Sequence, residues 1–317
     1  MKLLYVLVFG LICFQAHAEV TIRSLSLGAV ISENRETLDV WIENKSDYDV
    51  FCSQLSLLTE YEDPSGYVSV SQALLTLKDI FIRGGKDAKK ESYSIGADEY
   101  ANLQELNKSE AVIRKVIVSE SNSTCKRATF LDWAYHAEHY QVEKDTLAIL
   151  KNKFKVRDYK SLNKKLVRLT HLNLNHSKLA SVRALRYFPN IKKLDLRNNN
   201  IRNVWPLKDI TNLKKLSLRE NPVTSVWDLR YHENLSELNI RETQIDSLEG
   251  MSEMVNLWWL DAKDIPINSL SGVLKSTYLV CLRYPETHIR NRQEVAAWEQ
   301  IQKRNHSVNH RLTMCLF

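Results

Sequence analysis

Residues Ile191–Asn212 read IKKLDLRNNNIRNVWPLKDITN, and Leu213–Asn234 read LKKLSLRENPVTSVWDLRYHEN, one pattern written twice. An aliphatic head, an LxL pair, an asparagine and a second aliphatic residue recur with a period of 22 residues. Working outward, a weaker copy precedes them at Leu169–Asn190 (LTHLNLNHSKLASVRALRYFPN). Two more follow, at Leu235–Asn256 (LSELNIRETQIDSLEGMSEMVN) and Leu257–Ser276 (LWWLDAKDIPINSLSGVLKS). The columns hold their register through five units: Leu172, Leu194, Leu216, Leu238, Leu260, and then Leu179, Ile201, Val223, Ile245, Ile267. A fixed period of this length is the signature of a solenoid. Because side chains alternate along a strand, each LxL pair turns two leucines to one side. One such strand cannot bury them alone, so successive units are expected to stack into a parallel sheet. Asn199 and Asn221 should turn inward and bond backbone that has left the sheet. Ser177 and Thr243 can do part of that, and Ile265 cannot.

The unit with its N-x-[IV]-x-x-[VL]-x-x-L tail resembles the bacterial leucine-rich repeats of the internalin type, over about Lys165 to Ser276. That resemblance implies a shallow right-handed arc with a concave parallel sheet, short 3₁₀ or extended segments outside, and a protein-binding role.

Solenoid ends need capping. On the N-terminal side, Leu131 to Phe154 has a helical pattern, with Leu147, Leu150 and Phe154 on one face and Asp145 as a helix-start charge. On the C-terminal side, Arg292 to Arg304 carries Val295, Trp298 and Ile301 at helical spacing. Upstream, Thr37–Ile42 and Ala111–Val118 alternate as strands do, and turn-like clusters at Asp63–Gly66 and Gly84–Asp87 separate such runs. The expected division is a signal peptide over 1–18, an immunoglobulin-like β-sandwich over 19–126 and an N-terminal helical cap over 127–165. Five leucine-rich repeats over 166–276 and a C-terminal cap over 277–317 complete an α+β chain.

The first residues speak to compartment. Lys2 precedes an uncharged apolar run from Leu3 to Phe14, and Ala16-His17-Ala18 offers the small residues a signal peptidase reads. That run is too short to cross a bilayer as a permanent helix. An exported protein, periplasmic or secreted and without membrane insertion, is therefore expected. Besides Cys13, the chain has Cys52, Cys125, Cys281 and Cys315, an even set that reads as two disulfides in an exported protein. Cys52–Cys125 and Cys281–Cys315 are favoured because each pair then lies within one segment. A net charge of +6 over 317 residues is too modest to imply nucleic acid.

The sheet register brings Arg197, Arg219, Arg241 and Lys263 into one solvent-facing column. A second column holds His171, Lys193, Lys215, Glu237 and Trp259. The expected partner-binding set is Lys193, Arg197, Lys215, Arg219, Arg241, Trp259 and Lys263, offered to a protein partner with an acidic surface. Asp195, Asp261, Glu220 and Glu242 stand close enough to offset that charge, which would leave an ordinary solvated face. Trp205 and Trp227 share a position beyond the sheet and should stack on one another at the outer edge. His136 and His139 lack the HExxH spacing and a third ligand, so they read as surface residues of a capping helix. No nucleophile motif or P-loop occurs, and no cofactor, metal or catalytic residue is expected. Non-enzymatic recognition is the leading function. A cell-envelope structural or adhesion component, or a hydrolase with a cryptic site at the domain junction, are the alternatives.

Overall fold

A computed structural model describes residues 25–31, 37–62, 68–70, 75–84, 91–96, 112–118, 123–276 and 278–308. The expected signal peptide, the Asp63–Gly66 turn and Cys315 lie outside the described residues. The chain divides into two compact units, Met1–Trp133 and Ala134–Phe317.

The first unit is built from antiparallel sheets. One has three strands in the order β1 (Leu25–Ile31), β2 (Thr37–Asn44), β6 (Glu91–Gly96). The other has five and is organised by the long β3 (Val50–Glu62). Along one edge of β3 run β5 (Leu75–Ile82) and β4 (Val68–Val70), and along the other run β8 (Thr124–Arg127) and β7 (Val112–Val118). Length is what lets one strand seat four partners, because its two halves pair separately. Strands β1 and β7, one from each sheet, lie in contact. Val40, Ile42, Val50, Leu55, Leu57, Ile80 and Ile82 are buried, the alternation expected of strands with one inward face. Cys52 and Cys125 are directly opposite in the β3–β8 register and form a disulfide. Two residues past β5, a Cβ on Gly84 would fall 2.1 Å from the Tyr48 carbonyl oxygen, so the close backbone approach there admits only glycine.

The second unit contains the repeats. Three-residue strands β9 (His171–Asn173), β10 (Lys193–Asp195), β11 (Lys215–Ser217), β12 (Glu237–Asn239), β13 (Trp259–Asp261) and β14 (Cys281–Arg283) form one parallel sheet in chain order. Pairing is in register at the 22-residue offset: Leu172, Leu194, Leu216, Leu238, Leu260 and Leu282 are successive partners. This is a leucine-rich-repeat solenoid. The sixth strand is one more than the repeat pattern counts. Leu279, Leu282 and Ile289 keep the 22-residue offset from Leu257, Leu260 and Ile267, but Tyr284 replaces the small apolar Ala262 and disguises the copy. Return segments carry short 3₁₀ turns at Arg183–Tyr187, Trp205–Asp209, Trp227–Leu229, Met251–Glu253 and Ser271–Val273.

The asparagine column turns inward as the pattern predicts. Asn199 donates to the carbonyl oxygens of Leu174, Leu196 and Arg197 and accepts from the amides of Ser177 and Leu179. Asn221 repeats the arrangement one unit on, and Thr243 retains a single bond to the Ile240 carbonyl oxygen. A second asparagine column closes the first four repeats. Asn190, Asn212, Asn234 and Asn256 each donate to a carbonyl oxygen of the preceding unit, from Val167, Pro189, Thr211 and Glu233.

Helices flank the repeats. The division between the two units falls within α1 (Phe130–Ala137), and α2 follows at Gln141–Phe154. The continuous helix expected over Leu131–Phe154 is thus broken at Glu138–Tyr140, for a reason of phase. A helix with Trp133 and Ala137 inward would next bury Gln141 and Lys144. The break re-phases the chain so that Leu147 and Leu150 are buried instead. Asp145 bonds Gln141 on the exposed side, and Glu143 is the acidic residue of the first turn. A third helix, α3 (Tyr159–Leu166), starts at Asp158, whose carboxylate accepts the Ser161 amide as an N-cap. Beyond the sheet, α4 (Arg292–Val308) buries Trp298, and its Glu294 carboxylate accepts the Leu270 amide of the adjacent repeat. Cys281 is disulfide-bonded, while its expected partner Cys315 lies outside the described residues.

Candidate functional site

Strand alternation fixes the solvent face of the sheet. Leucines at the centre of each strand point inward, so the flanking residues point out. The first outward row is His171, Lys193, Lys215, Glu237 and Trp259, and the second is Asn173, Asp195, Ser217 and Asn239; their register partners Cys281 and Asp261 at the last strands are buried. Two residues on comes the arginine row, Arg197, Arg219 and Arg241, followed by Lys263.

An open depression of about 480 Å³ occupies this face. Of the expected partner-binding residues, Lys193, Arg197, Lys215 and Trp259 line it, whereas Arg219, Arg241 and Lys263 lie outside it. Its remaining polar lining is His171, Asn173, Asp195, Ser217, Glu237 and Asn239, so hydroxyl and amide groups stand between the charged ends.

The arginine row is neutralised by the chain itself. Asp195 holds Arg197 in a two-pronged ion pair at 2.8 Å, which raises the guanidinium pKa further. Arg219 bridges Glu220 at 2.8 Å and Glu242 at 3.1 Å. Arg241 bridges Glu242 at 3.0 Å and Asp264 at 2.8 Å. The acids that pair with Arg219 and Arg241 come from a position with an unusual backbone. His176, Asn198, Glu220, Glu242 and Asp264 all have φ between 50° and 57°, in the left-handed region. A non-glycine residue there costs about 1–2 kcal/mol. The Asn198 side chain donates to the Glu220 carboxylate; that bond, with the Arg219 charge, holds Glu220 below the usual carboxylate range. Like charges one strand apart repel, and the acid row between the arginines is what makes the column tolerable.

The lysine row differs. Lys215 is paired with Glu237 at 2.5 Å, but Lys193 has no carboxylate within 4.0 Å among the described residues.

At the outer side, the expected stacking of Trp205 on Trp227 does not occur. Trp205 is buried with Arg186 and Lys208 both 4.8 Å from its ring, and Trp227 carries Arg230 at 4.2 Å. Arginine side chains fill the space a second indole would need. His136 and His139 sit 6.4 Å apart, and no group of three or more metal-ligating side chains occurs among the described residues.

No family model matches this sequence, and no curated protein matches it. Solved structures similar to it are internalins and other leucine-rich-repeat proteins, over about 40% of the chain. An internalin of Listeria monocytogenes (InlF) is 21% identical over 41% of this chain and 44% of its own, with a TM-score of 0.34. The functional domain of InlJ from the same organism is 23% identical over 40% of this chain and 28% of its own, with a TM-score of 0.37. A leucine-rich-repeat protein of Leptospira interrogans is 17% identical over 46% of this chain and 38% of its own, with a TM-score of 0.39. This chain therefore spans less than half of each of these structures.

Proposed function

We propose that this chain is an exported, non-catalytic recognition protein that holds a protein partner against the solvent face of its parallel sheet. The observation that carries the reading is the depression on that face. It brings Trp259, Lys193, Lys215 and Arg197 to one place beside the amides of Asn173 and Asn239. Tryptophan and arginine are the usual carriers of interface energy, and amide side chains match the donors and acceptors of a peptide backbone. Arg219, Arg241 and Lys263 continue the surface beyond the depression. Export is supported by the Cys52–Cys125 disulfide, since such bonds persist in oxidising compartments. No helix among the described residues is long and apolar enough to cross a membrane. The same reading takes the two sheets of the first unit as a sandwich and the flanking helices as caps that cover the ends of the solenoid.

The test is capture with the immobilised mature chain, run beside a Trp259→Ala/Lys193→Ala variant. A partner held by the parent should bind the variant at least about tenfold more weakly, a loss of ~1.4 kcal/mol or more. Equal capture by both forms would place the binding surface elsewhere.

A further inference from the structure

The cations of the sheet face fall into two classes, separated by where their countercharge comes from. Arg197, Arg219 and Arg241 each have a carboxylate supplied by the repeat itself. At the opposite edge, where the strands begin, the paired lysines of IKKL and LKKL place Lys192 and Lys193 beside Lys214 and Lys215. The Lys193 and Lys215 backbones are register partners, and the Lys214 amide donates to the Lys192 carbonyl oxygen at 2.8 Å, so all four sit on adjacent strands. Adjacent strands are about 4.8 Å apart. Only Lys215 has an internal carboxylate; among the described residues Lys192, Lys193, Lys214 and the nearby exposed Arg168 have none within 4.0 Å. Like charges so placed repel, and among the described residues Glu237 alone offsets any of them, through Lys215.

Such an array is often no more than a solvated edge. Here it is the rim of the depression, because Lys193 and Lys215 belong to both. The charge layout also selects the class of ligand. A long uniform polyanion laid across the sheet would run from the lysines onto Glu220, Glu242 and Asp264 at the far edge, all carboxylates. A protein segment can group its acidic residues at one end and present neutral or amide groups to Asn173, Ser217 and Asn239.

We infer that the Lys192–Lys193–Lys214–Lys215 edge is the anchor for an acidic segment of a protein partner, and that the arginine row is not. This rests on the reading that the sheet face holds a protein. It adds which charges are available to the partner and what chemistry the partner brings.

The experiment uses the full mature chain and two probes, a fluorescein-labelled peptide of alternating glutamate and glycine and a labelled heparin fragment. Fluorescence anisotropy is read at about 50 mM and about 300 mM salt, which shortens the screening length a little over twofold. The peptide should bind the parent, more weakly at the higher salt. A Lys192→Glu/Lys214→Glu variant should lose at least about tenfold in affinity, whereas Arg219→Gln/Arg241→Gln should lose less than about threefold. Circular dichroism checks that both variants are folded, since Lys192 and Lys214 are exposed but Arg219 and Arg241 are half-buried.

Peptide binding unaffected by the lysine changes, or lost only with the arginine changes, would overturn the inference. So would heparin binding tightly while the peptide does not bind, since the edge would then serve a polysaccharide. Lys192 and Lys214 do not line the depression. Their variant would therefore still capture a partner through Trp259 if the proposed function holds and this inference fails.

Discussion

The inward polar column makes a graded prediction, because its members leave different numbers of backbone groups stranded when removed. In Asn199→Ala, the amides of Ser177 and Leu179 lose their acceptor and the Leu174 carbonyl oxygen loses its donor, three groups in all. The other two acceptors keep a partner, since Asn221 also serves the Leu196 carbonyl oxygen and the His176 amide serves that of Arg197. In Asn221→Ala, two groups are stranded, the Ile201 amide and the Leu218 carbonyl oxygen. In Thr243→Ala it is one, the Ile240 carbonyl oxygen. A buried polar group left without a partner costs about 1–3 kcal/mol. Taking the low end of that range, the losses are about 3, about 2 and about 1 kcal/mol in that order. Urea denaturation followed by tryptophan fluorescence would read them as shifts in midpoint at constant slope. The ranking matters more than the values. If Thr243→Ala destabilises as much as Asn199→Ala, or all three curves overlay the parent, the side chains are not what satisfies the backbone at the turn.

Two further outcomes follow from the same structure. The Cys52–Cys125 bond closes a loop with a sequence separation of 73, so its removal in Cys52→Ser/Cys125→Ser should destabilise the first unit by about 4 kcal/mol on the chain-entropy account. Denaturation midpoints that coincide with and without reductant would contradict it. His232 is buried and donates a ring N–H to the Leu207 carbonyl oxygen; burial lowers its pKa from the ordinary 6.5, partly opposed by that bond and by Asp209. Its folded pKa lies below its unfolded one, so its contribution is intact above about 6.5 and is lost as the pH falls through the depressed folded value. Melting temperatures should drop between about pH 7 and pH 5, and less steeply in His232→Gln, whose side chain does not titrate. Identical slopes in the two proteins would assign the effect to other groups.

How much of this was legible in the sequence follows from which forces leave a periodic trace. Burial leaves the strongest. Leu194, Leu216 and Leu238 must face the core in every unit, so their 22-residue spacing gives strand register directly, and the structure pairs them in that register. Backbone satisfaction leaves a trace too, but it must be looked for. The columns Asn199–Asn221 and Asn190–Asn212–Asn234–Asn256 have the same period, the first inside the repeat motif and the second at the close of the unit, where it stands apart from any aliphatic position. Helix α3 falls almost wholly within the helical cap expected over 127–165, and Asp158 followed by Tyr159, Leu162 and Leu166 on one face marks it. The sixth strand was hidden by Tyr284 in an apolar column. Helix phase is harder still, since only the shift from the Trp133–Ala137 face to the Leu147–Leu150 face reveals the break at Glu138–Tyr140.

The placement of the basic residues on the sheet face was readable, but their availability was not. Arg219 and Arg241 are followed in sequence by Glu220 and Glu242, and adjacent residues on a strand point to opposite faces, so an extended reading separates each acid from its arginine. The left-handed backbone at Glu220 and Glu242 breaks that rule. It turns the chain out of the sheet and brings each carboxylate back beside the guanidinium before it, while Glu242 also reaches Arg219 one strand away. The conformation that follows the strand is therefore also what cancels the charge of Arg219 and Arg241. Lys192 and Lys214 precede the strands and Lys193 opens one, where no such turn returns an acid to them; of the four lysines Lys215, with Glu237, is the one paired among the described residues. Along this sheet the unpaired lysines lie at the strand starts, while Arg219 and Arg241, beyond the strand ends, are tied to the acids of the turn.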